Sequence, residues 1–327
     1  MASVLEIRDL HVSYRSREGV LCPALAGVSF DLMPGEIMGV LGESGSGKST
    51  LALSLVRLLH GNAKITRGAV HFERKDLLQA KPDELQQIRG RRISLIFQEP
   101  SLALHPTMRA GEQVRQVLAA HSSLKKSALN ERTRQVFAEV FPEEEGRISR
   151  SYPHQLSGGQ RQRVLIAQAI ACGPSVVIAD EPTASLDPAT QMEILGVFRT
   201  LREKLGLAMI FITHNPALLS SFADRVLVLY GGRVAELGPA ATVLASPQHP
   251  YTKALFASIP AVFDERGNGR KTRLPVILGD SSHSSLPRGG CPFEPRCTER
   301  MDICREREPA MVNLSASHTV SCFKYES

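Results

Sequence analysis

The sequence GESGSGKST, residues 42–50, has the spacing Gly-x-x-x-x-Gly-Lys-Ser that is typical of a phosphate-binding loop. The apolar run EIMGVL before it, residues 36–41, predicts a buried strand, and STLALSLVRLL, residues 49–59, predicts a helix. The three glycines allow successive backbone N–H groups to converge on an anion at the positive end of the helix dipole. Both flanks therefore favour a phosphate-binding loop over a glycine-rich surface turn.

A second apolar strand, VVIADE at residues 176–181, ends in two carboxylates. Asp180 at the strand end can hold Mg²⁺ opposite the Ser49 hydroxyl, while Lys48 reaches the β- and γ-phosphates of a nucleotide. Glu181 can polarise an attacking water as a general base. In isolation such a pair is as often a solvated turn, but the phosphate loop earlier in the chain favours phosphoryl chemistry.

The stretch LSGGQ, residues 156–160, predicts the start of another helix. Ser157 is a natural N-cap, and Gly158 and Gly159 leave backbone N–H groups accessible at the helix start. This would be a second anion site, which one nucleotide does not need from one chain. A dimer resolves the difficulty, because the second loop would then press on the γ-phosphate held by a partner chain.

Composition excludes several classes of protein. The chain has 327 residues, a formal net charge of +6 and no Trp, so a base-stacking platform is not evident and a mildly basic nucleotide-binding protein is the simplest interpretation. No apolar run of 18 residues occurs, and the alternating N-terminus MASVLEIRDLHVSY lacks a signal-peptide core. We therefore expect a cytosolic protein with reduced thiols.

The remaining patterns predict a doubly wound α/β core. Residues 2–41 are β-rich, residues 107–150 have a polar helical pattern, and a helix should begin after Asp187 and end at Gly206. Beyond about residue 240, Pro, Ser, Gly and His become common, and GDSSHSSLPRGG, residues 279–290, predicts a loop.

Taken in order, these motifs resemble those of an ATP-binding-cassette (ABC) ATPase, and more narrowly of the ATP-binding subunits of dipeptide and oligopeptide importers. The resemblance runs from residue 4 to about residue 238. It implies a P-loop cassette with a RecA-like parallel sheet core, an antiparallel β part and a helical subdomain at about residues 99–165. The expected domains are a cassette at 1–240 and a small cysteine-containing extension at 241–327.

The resemblance also assigns roles to individual residues. It implies that Tyr14 in HVSY stacks on adenine, that Gln98 in IFQEP senses the γ-phosphate and touches the membrane partner, and that His214 in ITHN contacts the γ-phosphate. With Glu181, Gln98 and His214 form the expected catalytic set, and Ser49, Gln98 and Asp180 the expected Mg²⁺ site; Asp187 lies in the dimer-contact loop. The expected nucleotide-binding residues are Tyr14, Gly42, Glu43, Ser44, Gly45, Ser46, Gly47, Lys48, Ser49, Thr50, Gln98 and Asp180, with Ser157, Gly158, Gly159 and Gln160.

The C-terminal region carries the narrower resemblance. YPHQLSGGQ (152–160) and HPYTKAL (249–255) resemble the peptide-importer forms, and four of the six cysteines follow the spacing C-x5-C-x6-C-x17-C. Four thiols in a reduced compartment suggest a metal site, and the lack of C-x-x-C makes a zinc ribbon less favoured. Because the resembled extension carries a four-cysteine iron–sulfur cluster in some members, we expect one [4Fe–4S] cluster, with zinc or unliganded thiols as alternatives. The four cysteines are Cys291, Cys297, Cys304 and Cys322; the other two, Cys22 and Cys172, are expected to be buried apolar residues.

The resemblance implies an ATP-hydrolysing subunit of a bacterial-type importer for di- or oligopeptides, peripheral to the cytoplasmic face of the (inner) cell membrane. Its expected partners are two transmembrane permease subunits, a second ABC ATPase and, indirectly, a solute-binding protein, with no nucleic acid. The second ATPase is expected to be a different chain more often than a second copy of this one. One departure is SLALHP, which has His105 where the family usually has Asn, so the particular permease stays open. Nickel chelates or another small solute remain alternatives. A soluble ATPase acting on DNA or ribosomes and an ATP-binding protein without turnover are less favoured, because the chain has one cassette and retains the expected catalytic set.

Overall fold

The computed structural model describes residues 2–258, 277 and 289–326, in which twelve strands form two sheets. The strands are β1 (Leu5–Arg15), β2 (Leu21–Leu32), β3 (Ile37–Leu41), β4 (Ala63–Phe72), β5 (Lys75–Asp76), β6 (Ile93–Ile96), β7 (Val176–Asp180), β8 (Ala208–Ile212), β9 (Arg225–Tyr230), β10 (Arg233–Pro239), β11 (Met311–Ser315) and β12 (His318–Ser321). The α-helices of the described ranges are α1 (Lys48–Leu55), α2 (Pro82–Ile88), α3 (Pro100–Ala103), α4 (Ala110–His121), α5 (Lys126–Val140), α6 (Glu145–Arg150), α7 (Gly158–Ile170), α8 (Pro188–Leu205), α9 (Ala240–Ala245), α10 (Pro250–Ala257) and α11 (Ile303–Glu306).

The larger sheet has the strand order β11-β12-β10-β9-β3-β8-β7-β6, and the smaller antiparallel sheet has the order β2-β1-β4-β5. Strands β9, β3, β8, β7 and β6 run parallel, while β10, β12 and β11 are antiparallel. The parallel core and the antiparallel part predicted from the sequence are therefore confirmed. Since parallel strands end at one edge of a sheet, the phosphate loop after β3 and the carboxylates of β7 meet there.

Apolar runs make the central strands because both faces of a parallel sheet are covered. Every residue of β3, β7 and β8 is buried. Alternate side chains enter opposite layers: Met38 and Ile178 pack with β1 and α1, whereas Val177 and Phe211 pack with α7 and α8. The sheet thus holds its carboxyl-terminal ends between two separate hydrophobic cores.

The helices α4, α5 and α6 confirm the helical pattern of residues 107–150. They pack on one another and on α7, with Val114 from α4 and Phe137 from α5 fully buried. Helix α8 begins and ends where the sequence predicts. Asp187 Oδ1 accepts a hydrogen bond from the Thr190 N–H at 3.0 Å, and Gly206 adopts φ +63° after the last turn.

The C-terminal segment continues the main sheet. The β11–β12 hairpin pairs with β10 through Glu236 opposite Val320 and Leu237 opposite Thr319. The sequence pattern does not predict this pairing, and the proposed division at residue 240 stays a prediction. Of the loop expected at residues 279–290, positions 279–288 lie outside the described residues.

The expectation of burial is wrong for Cys22 and correct only in part for Cys172, which packs against the larger core. Cys22 is exposed and Cys172 is only half-buried. Cys22 lies near the start of β2, an outer strand of the antiparallel sheet, and not in the parallel core. Its position inside a β-rich stretch therefore did not imply burial. Among the described residues, the structure contains no helix long and apolar enough to span a bilayer.

Candidate nucleotide-binding site

Close backbone approach explains the glycines of the phosphate loop. A Cβ at Gly42 would lie 2.4 Å from the Leu229 carbonyl oxygen, and one at Gly47 would lie 2.7 Å from that of Ala24. Gly47 also has φ +103° and caps the start of α1, a conformation that L side chains rarely adopt. The loop is therefore folded tightly between β2 and β9, with Ser44 and Gly45 exposed at its tip.

Lys48 is the first residue of α1 and is 6% exposed. Its ammonium donates hydrogen bonds to the carbonyl oxygens of Gly42, at 2.9 Å, and Glu43, at 2.8 Å. The Nζ atom lies 4.0 Å from Glu181 Oε1. Burial lowers the pKa of Lys48, and the carboxylates of Glu181 and Asp180 oppose that effect. A buried positive charge thus stands between the loop and the end of β7.

Asp180, the last residue of β7, is 8% exposed. The nearby Ser49 hydroxyl favours the charged form of the Asp180 carboxyl, while Oδ1 is buried and has no hydrogen-bond partner among the described residues. Ser46 Oγ in the loop is also buried and has no hydrogen-bond partner among the described residues. Burial, and the nearby Glu181 charge, raise the pKa of Asp180. Unpaired buried oxygens beside a phosphate loop fit an Mg²⁺-nucleotide, because oxygen ligands are those that Mg²⁺ prefers.

Glu181 and His214 follow β7 and β8, which are neighbours in the sheet. Glu181 Oε2 lies 3.0 Å from His214 Nδ1. The backbone of Glu181 has φ +46°, which is unusual for a residue with a side chain, and its N–H donates to the Ile212 carbonyl at 3.0 Å. The carboxylate is only 15% exposed, whereas the imidazole is 60% exposed. The structure thus brings these two residues together beside Lys48.

Two further predicted site residues, Tyr14 and Gln98, lie on β1 and just after β6. Tyr14 Oη in β1 is 3.2 Å from Thr50 Oγ1 in α1, so the aromatic residue expected to contact adenine lies beside the phosphate-loop helix. Gln98 is exposed and follows β6, the strand that pairs with β7 through Ile96 and Ala179. Gln98 therefore lies at the same carboxyl-terminal edge as Asp180.

The signature stretch LSGGQ is not brought to the phosphate loop of its own chain. Ser157 Oγ accepts from the Gln160 N–H at 3.2 Å and the Gln160 side chain caps the Ser157 N–H in return, which confirms the predicted cap. A Cβ at Gly159 would lie 2.5 Å from Thr190 Cγ2, so this glycine allows α7 and α8 to approach closely. The nearest side chains to the signature glycines are those of Leu186 and Thr190, not those of the loop.

Sequence reasoning missed two residues that hold the phosphate loop. Arg296 binds the Glu43 carboxylate through two bonds of 2.7 and 3.1 Å, and Tyr251 Oη accepts the Glu43 N–H at 2.8 Å. They are 253 and 208 residues from Glu43 in the chain. Tyr251 lies in HPYTKAL and Arg296 precedes Cys297, but no spacing rule connects either residue to residue 43.

The four C-terminal cysteines line one small cavity together with Phe293 and Phe323. Cys304 Sγ accepts a hydrogen bond from the Met301 N–H at 3.5 Å. Burial raises the pKa of Cys291 to about 11, and the neighbouring cysteines add to that shift. Among the residues that the structure describes, no group of three or more His, Cys, Asp or Glu side chains is arranged to hold a metal ion. The cysteines therefore converge without forming a recognisable metal site.

Comparison with known proteins gives two family matches. The family described as ABC transporter matches residues 25–184, and the family described as oligopeptide/dipeptide transporter, C-terminal region, matches residues 235–304. The first covers the phosphate loop, the signature and the carboxylates of β7. The second covers Tyr251, Arg296 and three of the four clustered cysteines.

Curated relatives match along nearly the whole chain. The dipeptide transport ATP-binding protein DppD of Bacillus subtilis is 40% identical over 324 residues, which is 99% of this chain and 95% of the relative. The oligopeptide transport ATP-binding protein OppD of Escherichia coli is 38% identical over 323 residues, 98% of this chain and 93% of the relative.

Solved structures support the fold. The ATP-binding cassette MJ0796, a dimer in a post-hydrolysis state with ADP and phosphate, superposes with a TM-score of 0.64 at 30% identity, covering 72% of this chain and 98% of that one. The protein cbiO1 of Clostridium perfringens, part of an ABC transporter complex, gives a TM-score of 0.65 at 28% identity, covering 75% and 92%.

Proposed function

The chain belongs to the ATP-binding subunits of ABC transporters, in the branch with the oligopeptide/dipeptide C-terminal region, and we propose that it hydrolyses ATP to energise peptide uptake through separate membrane subunits. The observation that carries the proposal is the convergence of Lys48, Asp180 and Glu181 beside a tight phosphate loop, in a chain that is matched end to end by peptide-transport relatives. Di- or oligopeptides are the proposed solutes.

Nucleotide binding is assigned to the loop and its neighbours. The loop N–H groups and Lys48 bind the β- and γ-phosphates, and Tyr14 contacts the adenine. Ser49, Asp180 and Gln98 hold Mg²⁺, which supplies charge neutralisation on the phosphates when bound. The unpartnered Asp180 Oδ1 and Ser46 Oγ support this assignment, because a bound ligand would satisfy both.

Hydrolysis is assigned to Glu181 as general base, with His214 and Gln98 at the γ-phosphate. The backbone N–H bond to the Ile212 carbonyl holds Glu181 at the strand end, and the 3.0 Å contact with His214 Nδ1 orients its carboxylate. A base held in place before the reaction avoids reorganisation in the transition state. His214 Nδ1 is engaged by Glu181, so its Nε2 is the atom that is available to a phosphate oxygen.

The signature loop acts on the nucleotide of a partner cassette. Its residues Ser157, Gly158, Gly159 and Gln160 lie by the start of α8, away from the phosphate loop of this chain, which supports a role in trans. The similarity to a dimeric cassette supports the same arrangement. The assembly is thus two permease subunits and two ATPase subunits at the cytoplasmic face of the (inner) membrane, served by a solute-binding protein; nucleic acid is not a partner.

The proposed domains are a cassette at residues 1–240, with a helical subdomain at about residues 99–165, and an extension at 241–327. The positions of α4–α6 and of the cysteine segment support this division. The pairing of β12 with β10 makes the extension a docked part of the cassette, not an independent body.

The proposal includes one structural [4Fe–4S] cluster on Cys291, Cys297, Cys304 and Cys322, although no three of the described His, Cys, Asp or Glu side chains are arranged to hold a metal ion. What favours it is that all four cysteines line one small cavity, as the four ligands of a single cluster would. Anaerobically purified protein should contain about four irons per chain. Changing the four cysteines to Ser should abolish the iron, whereas the control Cys22→Ser should retain it. If the protein contained one zinc per chain and no iron, a zinc site would take the place of the proposed cluster. Metal-free protein would refute the metal site.

The test of the function uses the chain assembled with its permeases in vesicles. Wild type should couple ATP hydrolysis to peptide uptake. Glu181→Gln should retain ATP binding but lose hydrolysis and uptake by about 10²-fold or more, as expected for loss of a positioned base. The matched control is Glu203→Gln, which changes an exposed carboxylate on α8. Near-normal turnover by Glu181→Gln would refute its role, and ATP hydrolysis without peptide uptake would refute the solute class.

A further inference from the structure

We propose that Arg296 and Tyr251 are positioning residues of the nucleotide site, which reach from the C-terminal extension to hold Glu43 and so fix the phosphate loop. The inference rests on the proposed function, since it assumes that the loop binds ATP. It adds that the extension belongs to the ATP site of its own chain.

Every polar group of Glu43 is engaged. Its carboxylate accepts the two Arg296 bonds, and its N–H donates to Tyr251 Oη. Its carbonyl oxygen accepts from Lys48 Nζ at 2.8 Å and from the Ser46 N–H at 3.2 Å. A single loop residue therefore connects the extension directly to the lysine that is assigned to the phosphates.

The two anchors are themselves held rigidly. Tyr251 is fully buried, and the Arg296 side chain is 8% exposed. The Tyr251 ring packs 4.4 Å from the Tyr230 ring and 5.4 Å from the Phe293 ring, measured between centroids. Arg296 also donates to Tyr230 Oη at 3.3 Å. Because β9, α10 and the cysteine segment share this cluster, the position of Glu43 depends on all three.

The charge of Glu43 explains why an arginine is needed. A carboxylate in a loop that binds polyphosphate repels its ligand, and the repulsion grows where water is scarce. A bidentate arginine neutralises that charge and also fixes its direction, which a lysine cannot do as well. Loss of Arg296 should therefore weaken ATP binding in two ways: it leaves a negative charge in the loop, and it frees the loop backbone.

The experiment measures equilibrium binding of Mg²⁺-ATP to the full chain. Arg296→Gln should weaken binding about 10-fold, a typical effect of one lost charge-assisted pair, and Arg296→Lys should weaken it less. Adding Glu43→Gln to the Arg296→Gln variant should restore much of the affinity, because the uncompensated charge is then gone. A purely structural role for Arg296 predicts no such rescue. Tyr251→Phe, which keeps the ring and removes the acceptor, should weaken binding a few-fold.

The matched control is Arg305→Gln. Arg305 pairs with Glu294 at 3.0 Å in the same segment but is exposed and does not contact the loop. ATP affinity in Arg305→Gln should stay within about twofold of wild type, as is usual for an exposed pair. The inference is overturned if Arg296→Gln binds ATP like wild type, if Arg305→Gln is equally impaired, or if Glu43→Gln gives no rescue. Failure of the proposed function is a different result, in which wild type itself binds no ATP.

Discussion

Glu236 is the buried carboxylate that docks the extension onto the core sheet, and its replacement by Gln tests that docking. It is fully buried in β10. Oε1 accepts from the Gln248 N–H and from His318 Nε2, both at 2.9 Å, and Oε2 accepts from the His249 N–H at 2.9 Å. One side chain thus joins β10 to the start of α10 and to β12.

The cost of Glu236→Gln follows from counting these bonds. The amide has the same shape but only one oxygen, and its NH₂ group must face one of the two positions. If NH₂ replaces Oε1, His318 can accept with its other tautomer, but the Gln248 N–H is left without an acceptor. If NH₂ replaces Oε2, the His249 N–H is left instead. Either orientation leaves one buried backbone N–H without an acceptor, which costs about 1–3 kcal/mol.

Hydrogen exchange followed by mass spectrometry measures this cost locally. An opening free energy lower by about 1–3 kcal/mol makes exchange in residues 311–321 about 5- to 150-fold faster, while β1 in the other sheet should be unchanged. The control is Glu308→Gln, which removes an exposed pair with Arg233 between the same two segments. If Glu236→Gln left exchange of residues 311–321 within twofold of wild type, the docking role would be refuted.

Three further predictions concern the nucleotide site. Lys48→Ala should weaken equilibrium ATP binding itself, and an unchanged affinity would count against the phosphate-loop assignment. The pKa of Asp180 is raised in the folded chain, so its negative charge opposes folding above that pKa but has no effect below the ordinary Asp pKa, where the carboxyl is protonated. Asp180→Asn should therefore raise the melting temperature of the nucleotide-free chain at neutral pH, and the gain should disappear on acidification. A lower melting temperature at neutral pH would contradict this prediction. Gly159→Ala should reduce the ATPase activity of the assembled transporter, because the added Cβ would lie 2.5 Å from Thr190 Cγ2, but it should not change ATP binding by the single chain. The control Gly196→Ala adds a Cβ where no other atom lies within 4 Å, so it should leave the activity unchanged.

The core of the fold could be predicted from sequence because its signals are local. IMGVL, VVIAD and AMIFI are apolar on both faces, and such runs are typical of parallel strands whatever surrounds them. The ends of α8 were equally accessible, since Asp187 and Gly206 act through bonds within a few residues. The phosphate loop, the β7 carboxylates and His214 each follow a strand, so strand order alone brings them to one edge.

The parts that sequence missed depend on distant partners. Glu43 was assigned to the nucleotide only as a member of the loop, because its bonds to Arg296 and Tyr251 join segments more than 200 residues apart. The pairing of β12 with β10 was missed for the same reason, since HTVS is too short for its pattern to show a partner. Cys22 was misjudged because β-rich composition does not tell an outer strand from a central one.

The charged groups assigned to nucleotide binding are those whose charged forms are destabilised by burial when no ligand is bound. Burial raises the pKa of Asp180 and lowers that of Lys48, so each charge is held at a cost, and the mutual attraction only partly offsets it. Ser46 Oγ and Asp180 Oδ1 add two buried oxygens without hydrogen-bond partners in the described part of the chain. A ligand that brings both a cation and phosphate oxygens would satisfy all three residues at once. These buried, unsatisfied groups should therefore favour binding of Mg²⁺-ATP over Mg²⁺ or ATP alone. Because such a ligand binds only the folded chain, the stability of this edge of the sheet should rise with nucleotide concentration.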